Sequence, residues 1–214
     1  GEDRTAVCCL SSLNVEKYTE WEKHPSFIED IMRFLDNVLQ DFIDNAPEDF
    51  SRASYAAMRE RSVGLGVMGF HSFLQANKIP FEGAMAKVWN MRMFKHIRAE
   101  ADAASVTLAE ERGACPDAED FGIKERFSNK LSVAPTASIS IICGGASPGI
   151  EPVAANSFTH KTLSGSFNVR NPYLRQILAE KGKDDDETWS SITTHEGSVQ
   201  HLAFLTEDEK AVFR

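Results

Sequence analysis

Three short hydroxyl side chains stand together at Thr136, Ser138 and Ser140, directly after Pro135 and shortly before Gly144 and Gly145. Small residues and short hydroxyls around a helix start suit one task, the holding of a phosphate. The first N–H groups of a helix have no intrahelical partner, and they carry the positive end of the helix dipole. Pro135 near the first helical position would forfeit no hydrogen bond, and the paired glycines would end the helix. Residues 129–134 alternate in a way that fits one buried strand leading into the loop. Two plainer readings stand beside this one. Residues 138–142 are rich in β-branched side chains and could prolong the strand, and the hydroxyls could be ordinary turn residues.

Thiols are the second chemical resource. Cysteines occupy positions 8, 9, 115 and 143. Adjacent Cys8 and Cys9 do not easily bridge to each other, and no Cys-x-x-Cys occurs, so this is not a secreted disulfide framework. Reduced cysteines in a cytoplasmic protein fit better. A free cysteine is commonly core filler, and a reactive one needs access and a thiolate-favouring environment. The six histidines show no His-x-x-x-His spacing, so no metal site is expected. Gly64-Leu65-Gly66-Val67-Met68-Gly69 matches a dinucleotide fingerprint literally. The context does not fit: charged, helical residues precede it, and Glu82 comes too soon for the required spacing of about 20 residues. The glycines read instead as the means for a helix to pack closely on a curved strand.

Several elements must position these groups. Residues 5–10 read as a short strand. Residues 26–45 read as a helix, with Ser26 and Glu29 as a capping box and an apolar stripe through Ile28, Met32, Leu35 and Leu39. A shorter helix spans about 52–61, the glycine run 63–70 reads as a strand, and another helix follows to residue 77. Residues 83–112 predict one helix roughly 40 Å long, with Val88, Met91, Ile97, Ala101, Ala104 and Leu108 on its buried face and Gly113 and Pro116 as stops. Residues 154–170 read as irregular or short strands, and residues 172–181 as a helix. The acidic run 183–187 reads as solvated. A capping box at Thr206 and Glu209 starts a final helix. Strands alternating with helices place the chain in the α/β class.

The balance of 32 acidic against 23 basic residues, net −9, argues against a nucleic acid or an anionic membrane as partner. No apolar run approaches the ~18 residues of a membrane span, and no signal peptide is visible at the start. Both ends read as cuts within a larger protein: the first strand starts almost at residue 1, and the last helix is too short to be stable alone.

Four segments resemble the large (α) subunit of ribonucleotide reductase. They are Ala6-Val7-Cys8-Cys9-Leu10-Ser11-Ser12-Leu13-Asn14, the run from Arg59 through Phe70, Pro135-Thr136-Ala137-Ser138-Ile139-Ser140 with Gly149-Ile150-Glu151-Pro152, and Gly197-Ser198-Val199-Gln200-His201-Leu202. They lie in family order and span nearly the whole chain. The resemblance implies part of a ten-stranded α/β barrel, with a mainly helical insertion at 26–127 and a strand and substrate-phosphate loop at 128–152. It implies reduction of the ribonucleotide 2′-OH by thiyl-radical chemistry. Cys8 would be one redox-active cysteine, with Cys9 as its rival, and the pairing cysteine would lie upstream, leaving Cys8 without a disulfide here. Thr136, Ala137, Ser138, Ile139 and Ser140 would hold the substrate diphosphate. At Ala137, where several members carry a carboxylate, contact would be through the backbone N–H alone. The details look more like class I than the cobalamin-dependent class. Class I implies a dimetal, radical-generating β subunit and a thioredoxin- or glutaredoxin-type reductant, with no cofactor bound by this chain. The family's radical residues would fall upstream of Gly1 and its relay tyrosines beyond Arg214, so the isolated chain is expected to be inactive. Two other classes compete: a non-catalytic phosphate- or nucleotide-binding module, and a structural helical domain.

Overall fold

The computed structural model describes residues 3–162 and 165–214. Its organising unit is a parallel pair, β1 (Leu10–Asn14) and β2 (Gly64–Met68), in which Leu10 faces Gly64 and Asn14 faces Met68. Leu131 joins the far edge of β2 through a parallel bridge to Leu65. Three parallel segments therefore form an open wedge of sheet, and among the described residues no barrel closes.

The first strand lies later than expected. Residues 5–9 make no ladder, because Thr5 N–H turns to the Arg52 carbonyl (3.3 Å) and only the Cys9 carbonyl reaches β2, accepting from Gly64 N–H at 2.9 Å. The β2 glycines are close-approach residues, as expected, but the neighbour is a strand segment and not a helix. A methyl group on Gly66 would overlap the Ser132 carbonyl oxygen and stand 2.9 Å from Val133 Cα.

Helices cover one face of the wedge. In chain order they are α1 (Tyr18–Trp21), α2 (Phe27–Asn45), α3 (Ser51–Glu60), α4 (Phe70–Ala76) and α5 (Ala84–Arg112). Leu13, Leu65 and Val67 meet Met32, Leu35 and Leu39 of α2, Phe73 and Leu74 of α4, and Met93, Ile97 and Leu108 of α5 in one core. Val88 and Met91 are half-exposed and off this face, since the buried stripe of α5 runs through Ala86, Met93, Ile97, Ala101, Ala104 and Leu108. The Ser26 capping box does not form. Ser26 Oγ donates to Asp30, and Glu29 is drawn one turn on to Arg33.

Asp36, fully buried on α2, ties three elements together. Its carboxylate accepts from Arg61 (Nη2, 2.7 Å), Arg112 (Nη1, 2.7 Å) and Arg126 (Nε, 2.9 Å). Burial opposes the charge, but hydrogen bonds from Arg126, Arg112 and Arg61 outweigh it and hold the carboxyl below its ordinary range. Arg61 reaches Asp36 from a left-handed backbone, φ +41°, at the end of α3.

The rest of the chain adds α6 (Pro116–Glu119), α7 (Ile139–Ile142), an antiparallel hairpin of β3 (Ser157–Thr162) and β4 (Gly165–Arg170), then α8 (Pro172–Glu180), α9 (Asp186–Thr194) and α10 (Glu207–Val212). Residues 1, 2, 163 and 164, which fall in stretches read from sequence, lie outside the described residues. The acidic run is not merely solvated. Asp185 caps α9 by accepting from Thr188 N–H, and Asp184 accepts from Trp189 Nε1 at 2.7 Å. The box at Thr206 and Glu209 forms as expected. Leu174, Leu178, Trp189, Ile192, Val199 and Phe213 make a second core.

Candidate functional site

The loop at 136–140 hangs from the third parallel segment. Ser132 N–H donates to the Leu65 carbonyl (3.1 Å), after which the chain leaves the sheet and enters the loop. The helix there is shorter and later than the sequence implies. It begins at Ile139 and lasts four residues, so Pro135 is not its first residue, and Ala137 and Ser138 form a turn. Ser140 N–H bonds the Thr136 carbonyl (2.9 Å). Gly144 and Gly145, at φ +87° and +77°, end the turn as expected, with Gly145 N–H on the Ser140 carbonyl (3.1 Å).

This leaves three consecutive donors. The N–H groups of Ala137, Ser138 and Ile139 have no acceptor among the described residues, and all three residues are exposed. The hydroxyls divide. Thr136 is buried and its Oγ1 accepts from Gly149 N–H at 2.8 Å. Ser140 is buried as well, with Oγ directed to the Ala137 carbonyl. Ser138 alone of the three is exposed. In this geometry Thr136 and Ser140 shape the loop, while three backbone amides and the Ser138 hydroxyl are available to an anion.

The loop rests on residues 147–153, and those rest on α4. Gly69 N–H donates to the Ser147 carbonyl (2.7 Å). Ser72 and Ser147 exchange hydrogen bonds, each backbone N–H donating to the other's hydroxyl at 3.1 and 2.9 Å. Val153 N–H donates to His71 Nδ1 at 3.0 Å. Burial pushes the His71 imidazole down to about pKa 4. Sequence reasoning singled out the glycines of this stretch and missed His71 and Ser72. Their signal was three polar side chains, His71, Ser72 and Gln75, on a helix too short and apolar to spare them for solvent.

Cys8 and Cys9 line one groove beside α2 but differ in burial. Val7, Cys9 and Leu13 pack toward the helices, whereas Cys8 and Leu10 are exposed. Cys9 Sγ lies 3.6 Å from the Leu35 carbonyl, and burial, followed by the Asp36 charge, raises its thiol pKa. Cys8 lines an open apolar groove with Leu10, Phe34, Val38 and Phe42. It stands ahead of the ladder, at the end where the strands begin. All four cysteines are free thiols. Among the described residues no cluster of three or more His, Cys, Asp or Glu could hold a metal, and no helix is long and apolar enough to cross a membrane.

Comparisons with known proteins converge. The family model described as the ribonucleotide reductase barrel domain matches residues 1–125 and 117–214. The ribonucleoside-diphosphate reductase large subunit of Invertebrate iridescent virus 6 is 48% identical over 99% of this chain and 22% of its own length. That of Invertebrate iridescent virus 3 is 44% identical over 100% of this chain and 34% of its own. Among solved structures, the Actinobacillus ureae class Id ribonucleotide reductase alpha subunit superposes with a TM-score of 0.90 at 38% identity, covering 100% of this chain and 39% of that one. The chain thus spans well under half the length of these relatives. A wedge of parallel strands, an amide-lined loop at its end and a family match across both halves lead to one conclusion: this chain belongs to the ribonucleotide reductase barrel-domain family.

Proposed function

We propose that this chain forms part of the catalytic barrel of a ribonucleoside-diphosphate reductase large subunit, which converts ribonucleotides to deoxyribonucleotides in the cytoplasm. The helical portion at 26–127 buttresses the wall, and residues 128–152 supply a strand and the substrate-phosphate loop. The observation that carries this reading is the run of three unpartnered amides at residues 137–139, placed where the third parallel segment ends. Those amides and the Ser138 hydroxyl bind the diphosphate, and Thr136 and Ser140 fix their spacing. Ala137 takes part through its N–H alone.

Loss of the 2′-OH as water consumes two electrons, and a pair of thiols supplies them by closing to a disulfide. Cys8 is one thiol of that pair because it is accessible, whereas Cys9 is packed on Leu35 with its thiolate disfavoured. The other thiol and the radical-bearing residues come from the remainder of the α chain. A partner subunit with a dimetal centre generates the radical, and a thioredoxin- or glutaredoxin-type protein restores the dithiol. In the complete α subunit, Cys8→Ser should abolish multiple turnover with such a reductant, while Cys9→Ser retains it. Loss only in Cys9→Ser would move the role to Cys9. Full turnover in both variants would remove the redox assignment.

A further inference from the structure

The amides of residues 137–139 are placed by a relay of hydrogen bonds that starts on α4. The buried Thr136 hydroxyl sits immediately before them and is fixed by Gly149 N–H. Gly149 lies in a segment pinned on both sides. Upstream, Ser147 is held through its carbonyl by Gly69 and through its N–H and hydroxyl by Ser72. Downstream, Val153 N–H is held by His71. His71, Ser72 and Ser147 are all buried, so none of these bonds competes freely with water. Two adjacent side chains at the start of α4 therefore set both ends of the stretch that carries Gly149.

We propose that His71 and Ser72 are positioning residues for the substrate-phosphate loop, holding residues 147–153 so that Gly149 fixes Thr136 and Thr136 fixes the three amides. This rests on the reading of that loop as a diphosphate site. Neither side chain touches the substrate; each acts through the backbone it holds. A cradle of amides requires this support, because a site loosened by about an ångström loses much of its affinity. The Ser72–Ser147 exchange is reciprocal, so removing the Ser72 hydroxyl leaves the Ser147 N–H buried without an acceptor. At His71 the accepting atom is Nδ1, which requires the tautomer with its proton on Nε2. Asparagine offers an acceptor oxygen at a similar distance from the backbone, and leucine offers none.

The test uses the complete α subunit with its radical-generating partner and a dithiol reductant. KM and kcat are measured for a ribonucleoside diphosphate, and binding of that diphosphate is compared with binding of the unphosphorylated nucleoside. Ser72→Ala and His71→Leu should each raise the diphosphate KM about tenfold. Nucleoside binding should stay as in the wild type and kcat within about twofold, since binding lost equally in ground and transition states leaves kcat unchanged. His71→Asn should recover most of the KM. Should Ser72→Ala fail to fold, the His71 pair carries the comparison. An unchanged KM in folded variants would overturn the proposal, as would a fall in kcat at constant KM or a His71→Asn protein no better than His71→Leu. If the wild type itself binds diphosphate no better than nucleoside, the phosphate-loop reading fails first. If it discriminates and the variants discriminate equally, only the role of α4 fails.

Discussion

Burial holds the His71 imidazole near pKa 4, against 6.5 for a free side chain. The unfolded chain therefore takes up a proton before the folded one as pH falls. The stability tied to the neutral ring is complete above about pH 6.5 and is lost progressively down to about pH 4, below which both states are protonated. The shift corresponds to about 3 kcal/mol in all. Urea midpoints measured between pH 7 and 4.5 should fall more steeply for the wild type than for His71→Asn, which has nothing to titrate at that position. Equal slopes would assign the acid sensitivity to other groups. The sequence shows a histidine in an apolar helix but not what faces it. Val153 is distant in the chain, and only the fold brings its N–H to Nδ1.

Asp36 does for the helical layer what His71 does for the loop. One carboxylate on α2 receives arginines from the end of α3, the end of α5 and the segment after α6. Removing it strands Arg61 and Arg126, both buried, without a counter-charge. Asp36→Ala should cost about 3–5 kcal/mol, the usual result of breaking a buried pair from one side. A loss under about 1 kcal/mol, the level of a surface pair, would show that water replaces the carboxylate. Strand β2 offers a second test. Gly66→Ala would force a methyl group into the Ser132 carbonyl and onto Val133, so the edge of the wedge must open. A drop of roughly 2 kcal/mol or more in stability is expected, with faster amide exchange at Ser132, whose N–H bonds Leu65. The long helices were legible because α2 and α5 repeat their apolar residues with helical period. The first strand begins later than its composition suggests, because residues 5–9 have strand-like side chains but only the Cys9 carbonyl reaches β2. Helix α9 escaped notice because its capping aspartate sits inside a run of charge.

The two cores meet through buried amides. Asn171 Nδ2 donates to Gln75 Oε1 of α4 and to Asn156 Oδ1, both at 2.9 Å, while Asn156 Nδ2 donates to the carbonyls of Gly197 and Phe213. Asn171 also caps α8. Asn171→Ala should therefore loosen the second core against the first. Trp189 reports on the second core, and Trp21 and Trp89 pack on the first. Read in variants that retain one set of tryptophans, the Trp189 transition in denaturant should move to lower concentration and separate from that of Trp21 and Trp89. Coincident transitions would show that apolar contact alone couples the cores. At this scale the sequence carried the family order of motifs and the loop itself, since both are local strings. The seam of Gln75, Asn156 and Asn171 was not legible, because each is an ordinary polar residue until the fold buries it. The parallel wedge also sets an order of events in time. Leu10 has to find Gly64, and Leu65 has to find Leu131, across the helices that lie between them in sequence. Nonlocal pairs of this kind incur the entropy of loop closure before any contact rewards them, so they assemble late. During that interval the chain holds helices beside bare strand edges. Such a species is open to capture by a chaperone or by another copy of itself, and refolding yield then depends on how dilute the protein is.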